Sequence, residues 1–405
     1  MSKFWASSDG SSEESSTQQD ESNDNTKNGA KDTLSQHIPL EFEAEAGRCL
    51  ACDPNAIWEE IRDKQLFVGV PSIPVTSTFD RRKNSTRLVI ISDTHGQHRN
   101  VHLPKGDILI RAGDFTKTGE VGTIQDLSRY CEESGFAEIV VIAGNHDMTL
   151  DPEYYQRKWQ RFHRIPHDCQ AAQAAIERNC HYLKDSTWTS LSGLNLYGSP
   201  FSPDFFDWAF NRPRGPPIRQ VWDKIPSQEE LPLDILITHT PPLGRGDLTQ
   251  EFVRAGCYDL LQSIQTRIKP RVNIFGHIHE GYGTSFDGQT LFVNGSSLDV
   301  RFQPIHRPIV VDVSHADKAE PAHIVEPVNT YATTKLELER WCMDRGYNVV
   351  TEALKKCDDD DLPLGNDLFK ANALSNLLEK LCLHYSKEGQ KELRDMLGKL
   401  YAESF

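Results

Sequence analysis

Five apolar runs in this chain end alike, each breaking into a short loop that carries aspartate, histidine or asparagine, in four of the five beside a glycine. Arg87-Leu88-Val89-Ile90-Ile91 opens into Ser92-Asp93-Thr94-His95-Gly96, and Asp107-Ile108-Leu109-Ile110 into Ala112-Gly113-Asp114-Phe115. Glu138-Ile139-Val140-Val141-Ile142 opens into Ala143-Gly144-Asn145-His146-Asp147, and Leu233-Asp234-Ile235-Leu236-Ile237 into Thr238-His239-Thr240-Pro241-Pro242. The fifth, Val272-Asn273-Ile274-Phe275, opens into Gly276-His277-Ile278-His279-Glu280, where Gly276 removes a side chain at a backbone turn. Such runs between turn signals read as buried strands. Further strands fall at 194–197, 290–294 and 309–313. Helical composition at 119–134 and at 152–179, interrupted near Pro166, and apolar periodicity at 250–268 complete an alternating pattern. That pattern predicts a layered α/β fold with its site at the strand ends.

In order, the five loops read D-x-H, G-D, G-N-H-D, H and G-H-x-H, and on these residues the chain resembles the calcineurin-like metallophosphoesterases. Leu196-Tyr197-Gly198-Ser199-Pro200, Asn211-Arg212-Pro213-Arg214-Gly215, Thr240-Pro241-Pro242-Leu243-Gly244 and the continuous 276–283 narrow the resemblance. They are similar to the metallophosphoesterase-domain-containing, cyclic nucleotide phosphodiesterase-like subfamily, over roughly residues 86 to 314.

That resemblance implies a four-layer α/β/β/α sandwich and a dinuclear centre. In it Asp93, His95 and His279 hold one divalent ion, Asn145, His239 and His277 the other, and Asp114 bridges both. Mixed carboxylate, imidazole and amide donors suit Mn, Fe, Zn or Co rather than Ca, with manganese the expected metal. A water held between two cations about 3.5–4 Å apart would be the nucleophile on phosphorus. His146 follows a ligand without being one, and is the expected general acid and charge stabiliser. Asp147 reads either as the carboxylate that fixes the His146 tautomer or as a helix N-cap. Phe115, Asn211, Tyr282 and Phe302, with Asn145, are the candidate substrate contacts, and the alternative for the first four is ordinary packing.

At 405 residues the chain exceeds one ordinary domain, so one core with extensions is expected. The boundaries read as a disordered acidic, serine-rich tail at 1–36, a lead-in at 37–85 containing a short helix that ends at Ile61, the metallophosphoesterase domain at 86–320, and a helical extension at 321–405. In the extension Leu374, Leu377, Leu378 and Leu381 recur at helical spacing, which means burial against the body or a partner surface, so the oligomeric state stays open.

A formal charge of -15 argues against broad grip on nucleic acid or anionic membrane. No apolar run reaches the ~18 residues of a membrane span, and the N-terminus has no secretory core, so an intracellular, cytoplasmic protein is expected. Nine scattered cysteines fit reduced thiols, and Cys49-Leu50-Ala51-Cys52 has no second pair to complete a zinc site. The intact set of metal-ligand types favours an enzyme, a metal-dependent hydrolase of small phosphodiesters such as cyclic nucleotides. The alternatives are a phosphomonoesterase or protein phosphatase, and a weakly active nucleotide-binding or scaffold protein.

Overall fold

The computed structural model describes residues 53–73 and 83–325. All the described residues belong to one compact unit. The acidic tail, the Cys49 and Cys52 pair and the leucine pattern of the C-terminal extension fall outside the described residues.

In chain order the strands are β1 (Ser72–Ile73), β2 (Ser85–Ile91), β3 (Ile108–Ala112), β4 (Glu138–Ile142), β5 (His181–Tyr182), β6 (Ser186–Thr189), β7 (Asn195–Ser199), β8 (Ser202–Pro203), β9 (Asn211–Arg212), β10 (Ile235–Thr238), β11 (Val272–Phe275), β12 (Gly283–Phe286), β13 (Leu291–Asn294), β14 (Ile309–Ser314) and β15 (His323–Val325). The α-helices are α1 (Pro54–Ile61), α2 (Val121–Glu133), α3 (Pro152–Lys158), α4 (Cys169–Glu177), α5 (Pro216–Trp222) and α6 (Tyr258–Ser263). One sheet runs β1-β15-β14-β2-β3-β4-β5 and the other β12-β13-β11-β10-β7-β6. Within them β2, β3 and β4 are parallel, as are β7, β10, β11 and β13.

Alternation along the strands builds the layers. Leu88, Ile90, Ile108, Ile110, Val140 and Ile142 share one core cluster with Leu196, Ile235, Ile237, Val272, Ile274 and Val293 of the other sheet. Their neighbours Val89, Ile91, Leu109 and Val141 point the other way, into a cluster with Leu127 of α2, Ile176 of α4, Trp222 of α5 and Leu260 of α6. Both faces of each central strand are therefore covered, which is why these strands read as unbroken apolar runs. The result is the α/β/β/α sandwich. A buried ion pair joins the central strands across the first sheet, with Arg87 Nε and Nη2 on the two oxygens of Asp312 at 2.8 and 2.9 Å.

Helix boundaries follow local chemistry. Asp53 caps α1 by accepting from the Asn55 and Ala56 amides, with Pro54 in the first turn. The long helical stretch divides around Pro166 as expected, and Asp168 caps the second piece, α4. The stretch at 250–268 departs from expectation, because helix begins only at Tyr258 and continues as a π-turn to Ile268. Before it, the Asp247 carboxylate captures the Gly256 amide and the Arg254 guanidinium, and Phe252 sits at φ 59. Backbone donors taken by a side chain are not available to a helical ladder. The sheet also extends past the expected domain limits, since β1 and β15 pair in parallel through Ser72 and Ile324. Among the described residues Cys131, Cys169, Cys180 and Cys257 are free thiols, and no helix is long and apolar enough to cross a membrane.

Candidate metal centre and catalytic cleft

The five ligand-bearing loops leave the carboxyl ends of β2, β3, β4, β10 and β11, so both sheets contribute. Backbone bonds stitch these ends together: Asp93 N donates to Gly113 O, His95 N to Asp114 O, and Gly276 N to His239 O. Four of the seven candidate ligands, Asp93, His95, Asp114 and His277, have φ of 52, 41, 50 and 69. Left-handed backbone is costly for residues with a Cβ and concentrates where function requires it. Gly276 is needed for space rather than for turning, because a Cβ there would overlap the Asp93 carboxylate and the Ser92 side chain.

The side chains converge in three overlapping groups: Asp93, His95 and His279; His95, Asp114 and His146; and Asp114, His239 and His277. Within each group the donor atoms lie within 4.8 Å of one another. Asp114 Oδ2 stands 4.0 Å from His95 Nε2 and 3.3 Å from His239 Nε2, the place of a bridging carboxylate. Asn145 Oδ1 lies 3.0 Å from His239 Nε2.

Backbone carbonyls set the histidine tautomers. His95 Nδ1 meets Thr116 O at 3.2 Å, His279 Nδ1 meets Asp299 O at 3.0 Å, and His239 Nδ1 meets Ala112 O at 2.9 Å. A carbonyl only accepts, so each Nδ1 carries a proton and each ring turns its Nε2 edge inward. His95 Nε2 and His279 Nε2 face each other at 3.3 Å. Two nitrogens so placed can share a cation or a proton. Asp93 is held in place by the His277 amide at 3.0 Å and by Ser296 Oγ at 2.8 Å.

Electrostatics agree with the donor set. Burial lowers His95 to about 4, and burial followed by the charge on His239 lowers His277 to about 3, so both rings are neutral at pH 7, as metal ligation would require. Burial also opposes a charge on His239, but the Asp114 and Asp93 carboxylates outweigh it and raise the group to about 9. A metal bound through this ring would displace that proton. Asp114 is buried, yet its histidine neighbours, His239 foremost, hold it well below the usual carboxylate range.

His146 is half-buried; its amide donates to Asp114 Oδ1 at 2.8 Å, and its Nδ1 is 2.7 Å from Lys117 O. The Lys117 carbonyl therefore fixes its tautomer, which corrects the role expected of Asp147. Asp147 takes the Gly144 amide, the Thr116 amide and the Thr116 hydroxyl at 2.8, 2.9 and 2.7 Å, locking two loops together, and caps no helix. Burial, then the charge of Asp114, pushes it up to about 7.

A cleft of about 220 Å³ over this centre is lined by His95, Asp114, Asn145, His146, His277 and His279, with Phe205, Glu280, Val300 and Phe302 forming its walls. Of the candidate substrate contacts, Asn145 and Phe302 line it. Phe115 does not, because it is 1% exposed and packed in the core. Tyr282 stacks on His306 at 4.2 Å and donates to Arg307 O, away from the cleft. Asn211 is spent on Ser202 Oγ and Phe205 O. Phe205, Val300 and Glu280 were not singled out from sequence, nor was Trp208, whose ring lies 4.0 Å from that of His146. The density of rings in Phe205-Phe206-Asp207-Trp208-Ala209-Phe210 was the available signal.

The sequence profile described as calcineurin-like phosphoesterase matches residues 86–281. The human metallophosphoesterase domain-containing protein 1 is 39% identical over 249 residues, which cover 59% of this chain and 74% of the human protein. The Caenorhabditis elegans UPF0046 protein T07D4.2 is 32% identical over 275 residues, covering 64% of this chain and 68% of the worm protein.

Proposed function

Because this chain belongs to the calcineurin-like metallophosphoesterases, a class of metal-dependent hydrolases, we propose that it hydrolyses phosphodiesters, cyclic nucleotides among them, rather than phosphomonoesters. The observation that carries this reading is the composition of the cleft, whose lining contains no lysine or arginine among the described residues. A monoester brings nearly two negative charges and is usually met by a cationic clamp. Arg212 and Arg214 lie nearby in sequence, but Arg212 donates to Asn211 O and Arg214 to Gly256 O and Ala255 O, bracing loops. A diester carries one charge and an alkoxide that leaves poorly without a proton, which is the need His146 meets. Its Nδ1 is tied to a carbonyl, so in the imidazolium form its Nε2–H edge is the one that gives a proton to the leaving oxygen or faces its developing charge.

Two divalent cations held by Asp93, His95, Asp114, Asn145, His239, His277 and His279 would supply Lewis acidity and an activated water. Manganese is the metal we propose, on the mixed oxygen and nitrogen donors. Asp114 lies between the two groups of ligands, and Ser296 and the His277 amide orient Asp93. Phe205 and Phe302 offer flat faces for a base or an aryl ester, with ring centroids 6.1 Å from His277 and 5.1 Å from His95 respectively.

The test compares kcat/KM at saturating manganese for 2',3'- and 3',5'-cyclic nucleotides, bis(p-nitrophenyl) phosphate, p-nitrophenyl phosphate and nucleoside monophosphates. Diesters are expected to lead. Monoesters outrunning every diester would replace this reading with a phosphatase.

A further inference from the structure

The loop at 204–210, between β8 and β9, brings Phe205 to the cleft and Trp208 to His146 through an unusual backbone. Phe206, Asp207 and Phe210 have φ of 50, 54 and 56, a conformation bulky residues avoid unless the surroundings impose it. The surroundings here are specific. Tyr154 OH and Arg161 Nη1 donate to Asp207 O at 2.6 and 3.1 Å, Lys158 Nζ pairs with the Asp207 carboxylate at 2.7 Å, and the Phe210 amide donates to Asp151 Oδ2 at 3.0 Å. Phe162 packs on Trp208 at 5.3 Å.

All of this holds one ring against another. The Trp208 indole lies 4.0 Å from the His146 imidazole, tilted by 31°, while His95 meets the same imidazole edge-on at 4.6 Å. Lys117 O takes Nδ1. A hydrogen bond at one nitrogen leaves a ring free to swing about that contact, and a packed face removes the swing. We propose that Trp208 is a positioning residue for His146, planting the imidazole so that its free edge meets the leaving oxygen. This rests on the reading of His146 as acid and charge stabiliser.

The experiment is a double-mutant cycle in the full chain, with Trp208→Leu and His146→Ala alone and together, and Trp208→Phe as the conservative variant. Turnover is read on a diester with an alkyl leaving group, beside metal content and the NMR signals of the His146 ring protons. Trp208→Leu is expected to lower kcat by about tenfold to a hundredfold, since misplacement of a reacting group by an ångström costs on that order. KM and metal content should hold, Trp208→Phe should recover most of the rate, and the loss should vanish in the His146→Ala background. An equal loss in both backgrounds overturns the proposal, as do His146 ring signals unchanged in Trp208→Leu. Should His146→Ala itself leave kcat unchanged, the catalytic reading of His146 fails. The ring signals then decide separately whether Trp208 holds the imidazole.

Discussion

Two kinds of loop surround one cleft here, and they are held by different means. The ligand loops are short, begin where a buried strand ends, and are tied to one another by backbone bonds such as Asp93 N to Gly113 O. The loop at 204–210 has flanking strands of two residues each, and takes its shape from side chains of α3 and its surroundings, namely Tyr154, Lys158, Arg161 and Phe162. Geometry borrowed from a sheet resists change. Geometry borrowed from side-chain clamps can be altered residue by residue, which suits the part of a site that meets the variable half of a substrate.

The sharpest way to break this contrast is Asp114→Asn. Replacing the carboxylate proposed to bridge the two ions by a neutral amide should empty the centre of metal and reduce turnover to background, as measured by elemental analysis beside kcat. Next, His146→Ala should keep both metals and lose about 10² to 10⁴ in turnover on a poor leaving group. Metal loss in that variant would make His146 a ligand and erase the division of labour.

Protonation gives a third test. His239 must lose a proton that the apo site holds up to about 9, so apparent metal affinity should fall about tenfold per pH unit as pH drops below that value. An isothermal titration series at several pH values that shows no slope from pH 9 to 7 would contradict the assignment. Ser296→Ala should cost about 10- to 100-fold in metal affinity by freeing Asp93, with the cleft walls untouched. The wall residues should behave oppositely. Phe205→Ala or Phe302→Ala is expected to raise KM about tenfold for aryl and nucleotide diesters while leaving metal content and kcat for a small alkyl diester alone. Asn211→Ala, outside the cleft, should change KM by less than about twofold.

Much of this was readable before any coordinates. Leu88–Ile91 and Ile139–Ile142 are long enough, and apolar enough on both faces, to be strands and nothing else in an alternating chain, and the polar residues that follow them announce the strand ends. Asp147 shows where such reading stops. Its neighbour in sequence is His146, yet its carboxylate reaches across to Thr116, a pairing that depends on how β3 and β4 align. Phe115 and Phe205 make the same point from opposite sides. Both are phenylalanines near a strand end, and only packing reveals that one is core and the other stands 52% exposed at the cleft. The helix expected at 250–257 failed because apolar periodicity carries no trace of the Asp247 carboxylate that captures its backbone.

The partner of β2 on one side is β3, twenty residues on, but on the other side it is β14, and Arg87 meets Asp312 across 225 positions of chain. A ribosome therefore releases β2, already carrying Asp93 and His95 at its end, long before the strand that covers its second edge exists. Until residues 309–314 emerge, one row of its amides and carbonyls lies open beside an apolar face, a template for pairing with another nascent chain. Contacts of such separation slow folding, so the vulnerable interval is set by synthesis and not by the chemistry of the site. Fragments that stop between β13 and β14 would contain every candidate ligand and still be the forms most prone to aggregate.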